Sequence, residues 1–234
     1  MLRHKQAAGA SRKRRRGMTR IKICCIQSIA EARMAIGSGA SAIGLVGKMP
    51  SGPGPIEDDL IREIAAALPP PIATFLLTSE SATDAIIRHH QRTQTTTIQI
   101  VDTLIKGTHA GLKMALPAIK IVQVIHVMDA ASVAEAIKIS ESVDALLLDS
   151  GNPGLRVKEL GGTGRVHDWR LSRQIRMQVH CPVFLAGGLT PENVREAIET
   201  VEPFAVDVCS GVRTDGHLDI RKMERFIEEV QRAQ

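Results

Sequence analysis

Eight short aliphatic runs, each followed by a longer amphipathic stretch, fill the chain from residue 21 onward. The runs cover 21–25, 42–46, 72–77, 97–101, 119–125, 144–148, 183–186 and 205–208. The stretches between and after them cover about 28–38, 57–67, 81–92, 104–116, 130–141, 168–178, 191–200 and 219–232. Gly107 and Gly111 interrupt the fourth of these. Runs of four to seven residues suit strands, and stretches of ten or more with helical periodicity suit helices. Strict alternation of the two predicts a parallel sheet covered by helices, and eight units are enough to close it into a (βα)8 TIM barrel. An open doubly wound sheet is the rival. It would carry a glycine loop after its first strand, where this chain reads Cys24-Cys25-Ile26-Gln27-Ser28. With 234 residues and no composition shift after residue 20, the chain reads as one α/β domain over 21–234, preceded by a basic extension over 1–20.

That extension decides how the charge is read. The formal net charge is +5, yet residues 1–20 hold Arg3, Lys5, Arg12, Lys13, Arg14, Arg15, Arg16 and Arg20 and no acid. Without them the chain is mildly acidic. A disordered extension is the expectation, with Met18 as an alternative start. A basic arm for nucleic acid or membrane, and a transit peptide, are the other readings. Tyr is absent and aromatics make up 2% of residues, so stacking platforms for nucleic acid are poorly supplied and no nucleic-acid partner is expected. No apolar run is long enough to span a membrane. Cys24, Cys25, Cys181 and Cys209 show neither zinc spacing nor a disulfide framework, which reads as a reducing cytoplasm and no metal.

In a barrel of this kind, polar residues at strand C-termini are the ones to suspect. Asp149 closes the run Ala145-Leu146-Leu147-Leu148. Burial there would raise its pKa and favour a protonated acid, although a plain loop-capping Asp fits equally well. Cys24 follows the first strand as a nucleophile or base, or as a small core residue. Strand alternation sends Lys22 and Cys24 into the lumen and Ile21, Ile23 and Cys25 outward toward the helices. Asp207 lies within the last strand. Gly187-Gly188 after strand seven and Ser210-Gly211 after strand eight offer backbone N–H groups and helix starts to an anion. Thr190-Pro191-Glu192 predicts the start of the seventh helix, with Pro at its first position. Ser28 with Glu31 predicts a capping box at the first. The segment 150–167, with Gly162 and Gly164 in Gly161-Gly162-Thr163-Gly164, is long for a connection and reads as a lid, or as a plain surface loop. A small phosphorylated sugar is the ligand these features suit.

Five segments carry a resemblance to a known family. They are Lys22-Ile23-Cys24, Leu147-Leu148-Asp149-Ser150, Gly161-Gly162-Thr163-Gly164 followed by His167-Asp168-Trp169, Gly187-Gly188-Leu189-Thr190-Pro191-Glu192-Asn193-Val194, and 203–212 from Pro203 to Val212. In this order they resemble the phosphoribosylanthranilate isomerases of tryptophan biosynthesis. The resemblance implies an Amadori rearrangement of an aminoaldose to an aminoketose without a cofactor. It implies Asp149 as general acid, Cys24 as general base, and Gly187, Gly188, Ser210 and Gly211 around the phosphate. Lys22, Asp207, Gly162 and Gly164 would act in support, with Asp207 either touching sugar hydroxyls or tuning Cys24. A monomer or homodimer is expected.

Three positions depart from the family pattern. Cys25 stands where Gly follows the catalytic Cys. The segment 50–56 lacks the Ser-x-Arg whose Arg grips the anthranilate carboxylate, so Lys48 or Arg165 is a candidate substitute cation. Gln99-Ile100-Val101-Asp102 replaces Gln-Leu-His-Gly. These departures leave two alternatives: the same reaction on another phosphosugar amine, or a non-catalytic barrel that binds a phosphorylated metabolite.

Overall fold

A computed structural model describes residues 18–162 and 164–234; the expectation for the extension falls, up to residue 17, outside the described residues. The first strand already begins at Arg20. Strands β1 (Arg20–Ile23), β2 (Ala42–Val46), β3 (Ala73–Thr78), β4 (Thr97–Ile100), β5 (Lys120–His126), β6 (Ala145–Asp149), β7 (Val183–Leu185) and β8 (Ala205–Val208) pair in parallel, and β8 returns to β1 to close the barrel. Helices α1 (Ile29–Gly37), α2 (Asp58–Ala66), α3 (Thr83–Thr93), α4 (His109–Ala115), α5 (Ala131–Ser140), α6 (Trp169–Gln178), α7 (Val194–Val201) and α8 (Ile220–Arg232) alternate with them. The expected α/β (βα)8 TIM barrel is therefore the fold.

Strand alternation divides the core in two. Ile21, Ile23, Ile43, Leu45, Ile98, Ile100, Leu146 and Leu148 pack outward against helix residues such as Ile61, Ile64, Ile175 and Phe226. Ala42, Phe75, Leu77, Val122, Val124, Ala145 and Leu147 share the lumen with Cys24. Small and large side chains mix there, which lets layers from neighbouring strands fill a narrow barrel. Cys25 corrects the expected parity. It belongs to the lumen set because β1 stops at Ile23 and Cys25 takes φ 60°, a left-handed turn that swings its side chain inward.

Helix starts follow local chemistry with two adjustments. At α1 the Glu31 N–H donates to Ser28 Oγ at 3.1 Å, and the Gln27 N–H donates back to Glu31 Oε2 at 3.0 Å. At α7 the expected start at Pro191 is wrong by three residues: Asn193 is the cap. Its Oδ1 accepts from the Thr190 N–H at 2.8 Å and its amide donates to the Gly188 carbonyl at 2.9 Å, so Thr190-Pro191-Glu192 forms a turn that ties the glycine pair to the helix. Helix α4 begins at His109, later than the pattern suggested, because Gly107 takes φ 90° and Thr108 caps at Gly111. A short 3₁₀ turn (Ser210–Val212) and a ribbon of β9 (Arg213–Thr214) with β10 (His217–Leu218) precede α8. Single-turn elements of two or three residues carry no periodicity that a sequence could reveal.

Candidate active site

A cavity of about 80 Å³ opens at the C-terminal ends of the strands. Cys24, Asp149, Asp207, Gly162, Gly164, Gly187, Gly188 and Ser210 all line it. Lys22 and Gly211 do not. Lys22 lies fully buried below the cavity floor, and Gly211 packs behind it, where a Cβ would sit 2.0 Å from the Leu189 carbonyl oxygen. Apolar walls come from Val46, Met49, Leu77, Val101 and Leu160. One residue that sequence reasoning passed over joins the site: Gln99, buried in β4, also lines the cavity. Its signal was available, since Thr97 and Gln99 alternate with Ile98 and Ile100, which puts a polar pair on the lumen face.

The floor is an ionic cluster. Lys22 Nζ lies 2.8 Å from Asp207 Oδ2 and 5.1 Å from the centre of the Phe75 ring. Burial works against the ammonium, but Asp207 and Cys24 together hold its pKa above the ordinary lysine value. The Cys24 thiol is pushed up to about 11 by burial, with Lys22 pulling it back down and Asp207 adding to the rise. Asp149 is likewise raised by burial, opposed by the Ser150 N–H at 2.7 Å and by His126. Burial thus keeps both the carboxyl and the thiol toward their neutral forms, and Lys22 is the cation that opposes this at the thiol. Asp207 Oδ1 and Gln99 Oε1 are buried without a hydrogen-bond partner among the described residues. Both residues line the cavity, so both can accept from a hydroxyl-rich ligand. Among the described residues no group of three His, Cys, Asp or Glu side chains converges as metal ligands would.

Leu160, Gly161, Gly162 and Gly164 line the cavity, and the described residues around them rest on the β2–α2 loop. Ser51 Oγ donates to the Lys158 carbonyl at 2.6 Å, and a Cβ on Gly162 would meet Pro53 at 2.6 Å. Neither Lys48 nor Arg165 is among the described residues lining the cavity, and Arg165 is held by Glu159. Lys158 pairs with Asp102, the residue after β4, at 2.5 Å. Cys25 and Gly54 are packed as a pair. A Cβ on Gly54 would lie 2.7 Å from Cys25 Cβ, and Gly54 takes φ 87°. A side chain at 54 and a side chain at 25 compete for one space.

Gly188 shows how tightly this side of the cavity is built. It takes φ 63°, and a Cβ there would lie 2.5 Å from the Arg165 carbonyl carbon. Gly188→Ala is expected to raise KM for a phosphorylated substrate at least about tenfold with a smaller change in kcat, as expected when ground-state binding is lost; steady-state kinetics checks this.

His167 ties the end of the 150–167 segment to α6. Its Nε2 lies 2.6 Å from Ser172 Oγ, and burial lowers its pKa to about 4, with Asp168 opposing. The unfolded chain takes up this proton near pH 6.5 and the folded chain only near 4. Stability from this group is therefore complete above the unfolded value and is lost as pH falls from 6.5 to 4, by up to about 3 kcal/mol. Urea titrations across that range should show a shallower pH slope for His167→Gln than for the unchanged protein.

Comparison with known proteins completes the description. The profile of the family described as "N-(5'phosphoribosyl)anthranilate (PRA) isomerase" matches residues 21–229. An N-(5'-phosphoribosyl)anthranilate isomerase of Methanocella arvoryzae is 35% identical over 214 residues, which is 91% of this chain and 98% of that protein. A second such isomerase, from Methanosarcina mazei, is 39% identical over 89% of this chain and 92% of its own length. Among solved structures, the phosphoribosyl anthranilate isomerase of Thermotoga maritima superposes with a TM-score of 0.76 at 29% identity, covering 92% of this chain and 99% of that one. A phosphoribosyl anthranilate isomerase solved with reduced 1-(o-carboxyphenylamino)-1-deoxyribulose 5-phosphate gives a TM-score of 0.73 at 28% identity, with the same two coverages.

Proposed function

The chain belongs to the N-(5'-phosphoribosyl)anthranilate isomerase family, and we propose that Cys24 and Asp149 are the base and acid of its reaction. It is an isomerase of tryptophan biosynthesis that works without a cofactor and converts phosphoribosylanthranilate to the 1-deoxyribulose 5-phosphate product. Asp149 donates its proton to the ribose ring oxygen as the C1′–O bond breaks, which leaves a protonated Schiff base between C1′ and the nitrogen. Cys24, as thiolate, takes the C2′ proton. The electron pair moves into an enolamine; C1′ then takes back a proton from Cys24 as the C2′ hydroxyl loses its own, which gives the aminoketose, restores the thiolate and leaves a proton to return to Asp149. Atoms and charge balance, and no electrons leave the molecule.

The observation that carries this reading is a buried thiol and a buried carboxyl lining one cavity, with Lys22 beside the thiol as a cation that favours its ionised form. Between the two pKa values the working form has the acid protonated and the base ionised. It is a minor species, and each unit separating the two values costs about tenfold in its population. Burial of Cys24 widens that gap, while burial of Asp149 and the charge of Lys22 beside the thiol narrow it.

Gly187, Gly188, Ser210 and the backbone behind Gly211 hold the phosphate. Asp207 Oδ1 and Gln99 Oε1 accept from sugar hydroxyls or the amine, and the apolar wall from Val46 to Leu160 takes the aromatic ring. A cavity of about 80 Å³ is small beside the roughly 300 Å³ that usually admits such ligands, so the 150–168 segment must open and close in each cycle. We assign the chain to the cytoplasm because its substrate, a charged phosphate ester, does not cross membranes unaided. A homodimer is supported by a Thermotoga maritima relative described as dimeric.

The test is loss of substrate fluorescence when purified protein meets phosphoribosylanthranilate. Turnover that vanishes in Cys24→Ala and Asp149→Ala is the expected result. Turnover surviving in either variant removes that residue from its role. The absence of an Arg in 50–56 supports a second reading, a different phosphosugar amine; turnover of another amine in preference to the anthranilate compound would establish it.

A further inference from the structure

Cys25 and Cys209 form a disulfide that joins the end of β1 to the end of β8, with 5.8 Å between their Cα atoms. The site chemistry described above does not use it. Its placement is nevertheless specific. The two strands pair through Ile23 and Val208, so the bond continues the seam that closes the barrel. Cys209 leads directly into the Ser210–Val212 turn. Cys25 is the residue after Cys24 and sits at φ 60°. Its carbonyl accepts from Arg213 Nη2, and Arg213 is fixed by Glu31 at 3.1 Å. Both cysteines line the reaction cavity. On their other side they also line a second cavity of about 280 Å³, with Gln27, Arg213 and Gly216. A small thiol or disulfide can therefore approach the bond from a face that does not require the lid to open.

We propose that Cys25 and Cys209 are a reversible redox site, exchanging with a low-molecular-weight disulfide such as oxidised glutathione, and that the bond sets the affinity of the phosphate seat. This rests on the seat assigned above to Gly187, Gly188, Ser210 and Gly211. In the forward direction one enzyme thiolate attacks the small disulfide and releases one small thiol. The second enzyme thiolate then displaces the other. Two electrons pass to the small disulfide and the two thiol protons leave with the products. A dithiol reductant reverses the exchange. The bonded state ties Ser210 and Gly211 to the β1 end, whereas the dithiol state leaves Cys25 in a left-handed conformation with no cross-link to hold it. Preorganisation of the seat is what the bond contributes. Disulfides in a reducing compartment are commonly of this transient, sensing kind.

The experiment equilibrates the full-length protein with glutathione buffers of graded ratio, then traps free thiols with an alkylating agent for peptide mass mapping. Inorganic phosphate affinity and the steady-state constants are measured at the two extremes. The expected result is cooperative loss of the Cys25 and Cys209 thiols together, while Cys24 and Cys181 remain thiols that alkylate once the quenched protein is denatured. Phosphate affinity and KM should weaken about tenfold on reduction with kcat nearly unchanged. Cys209→Ser and Cys25→Gly should keep the weak affinity at every ratio. Should those variants fail to fold, the titration of the unchanged protein decides alone. A pair that stays dithiol at every ratio, a glutathione adduct on Cys24 instead, or equal phosphate affinity in both states would overturn the proposal. No phosphate binding in either state would sink the seat assignment itself, and the proposed consequence with it.

Discussion

Asp149→Asn is expected to lower kcat about 10³-fold while leaving the thermal midpoint unchanged or slightly higher. The amide keeps the shape and the Ser150 contact but cannot deliver a proton to the ring oxygen, and a positioned general acid contributes about 10² to 10⁴. Stability should hold because burial already works against the charged carboxylate. Cys24→Ala should show a loss of similar size, and the double variant should be little worse than either single one, since residues that act on one substrate in sequence are not additive. The profile of kcat/KM against pH provides an independent check. With the acid protonated and the base ionised in the working form, the acidic limb belongs to Asp149 and the alkaline limb to Cys24, whose thiol lies near 11. A variant that keeps turnover but loses the alkaline limb would argue that another group is the base.

Lys22→Met is expected to cost about 3–5 kcal/mol of stability, because it strands Asp207 in the lumen without its cation. That is a large share of the 5–15 kcal/mol typical of a folded domain. Denaturant titration should show it directly. The deficit has a predicted sign with pH. Without Lys22, the Asp207 carboxyl takes up a proton in the fold far above its unfolded value, so its contribution is fully present below the unfolded value and is lost as pH rises. The variant should approach the unchanged protein in acid and fall away from it toward neutrality. Lys22→Met with Asp207→Leu should recover most of the stability, since replacing both partners removes the stranded charge. Activity should not recover, because the thiolate loses the adjacent ammonium that stabilises it. Full activity in the double variant would reduce the pair to a structural role.

Much of the site was legible before any coordinates. Period-two alternation put Lys22 and Cys24 on one face of β1, and the aliphatic run ending in Asp149 marked a strand with a carboxyl at its tip. Both arguments need only the backbone's own repeat. Cys25 broke the same rule because a strand's parity ends where the strand ends, and the φ of the next residue depends on what packs around it, here Gly54 and Arg213. Gln99 was legible as an alternating polar residue and was passed over because its neighbours did not match the expected motif. The α7 start was misplaced because Thr190-Pro191 serves a turn as well as it serves a cap, and only Asn193 reaching back to Gly188 separates the two.

By itself, the amino-acid sequence determined the number of βα units, their order, and so the end of the barrel at which chemistry is found. These follow from periodicity and chain length, which are local properties. Only the tertiary structure decided that Lys22 meets Asp207 across 185 residues and that Cys25 meets Cys209 across 184. It also decided which glycines face a cavity and which lie behind it. Contacts of that kind arise when the last strand closes on the first. Their energies depend on burial and on distances between groups far apart in the chain, which no local pattern encodes.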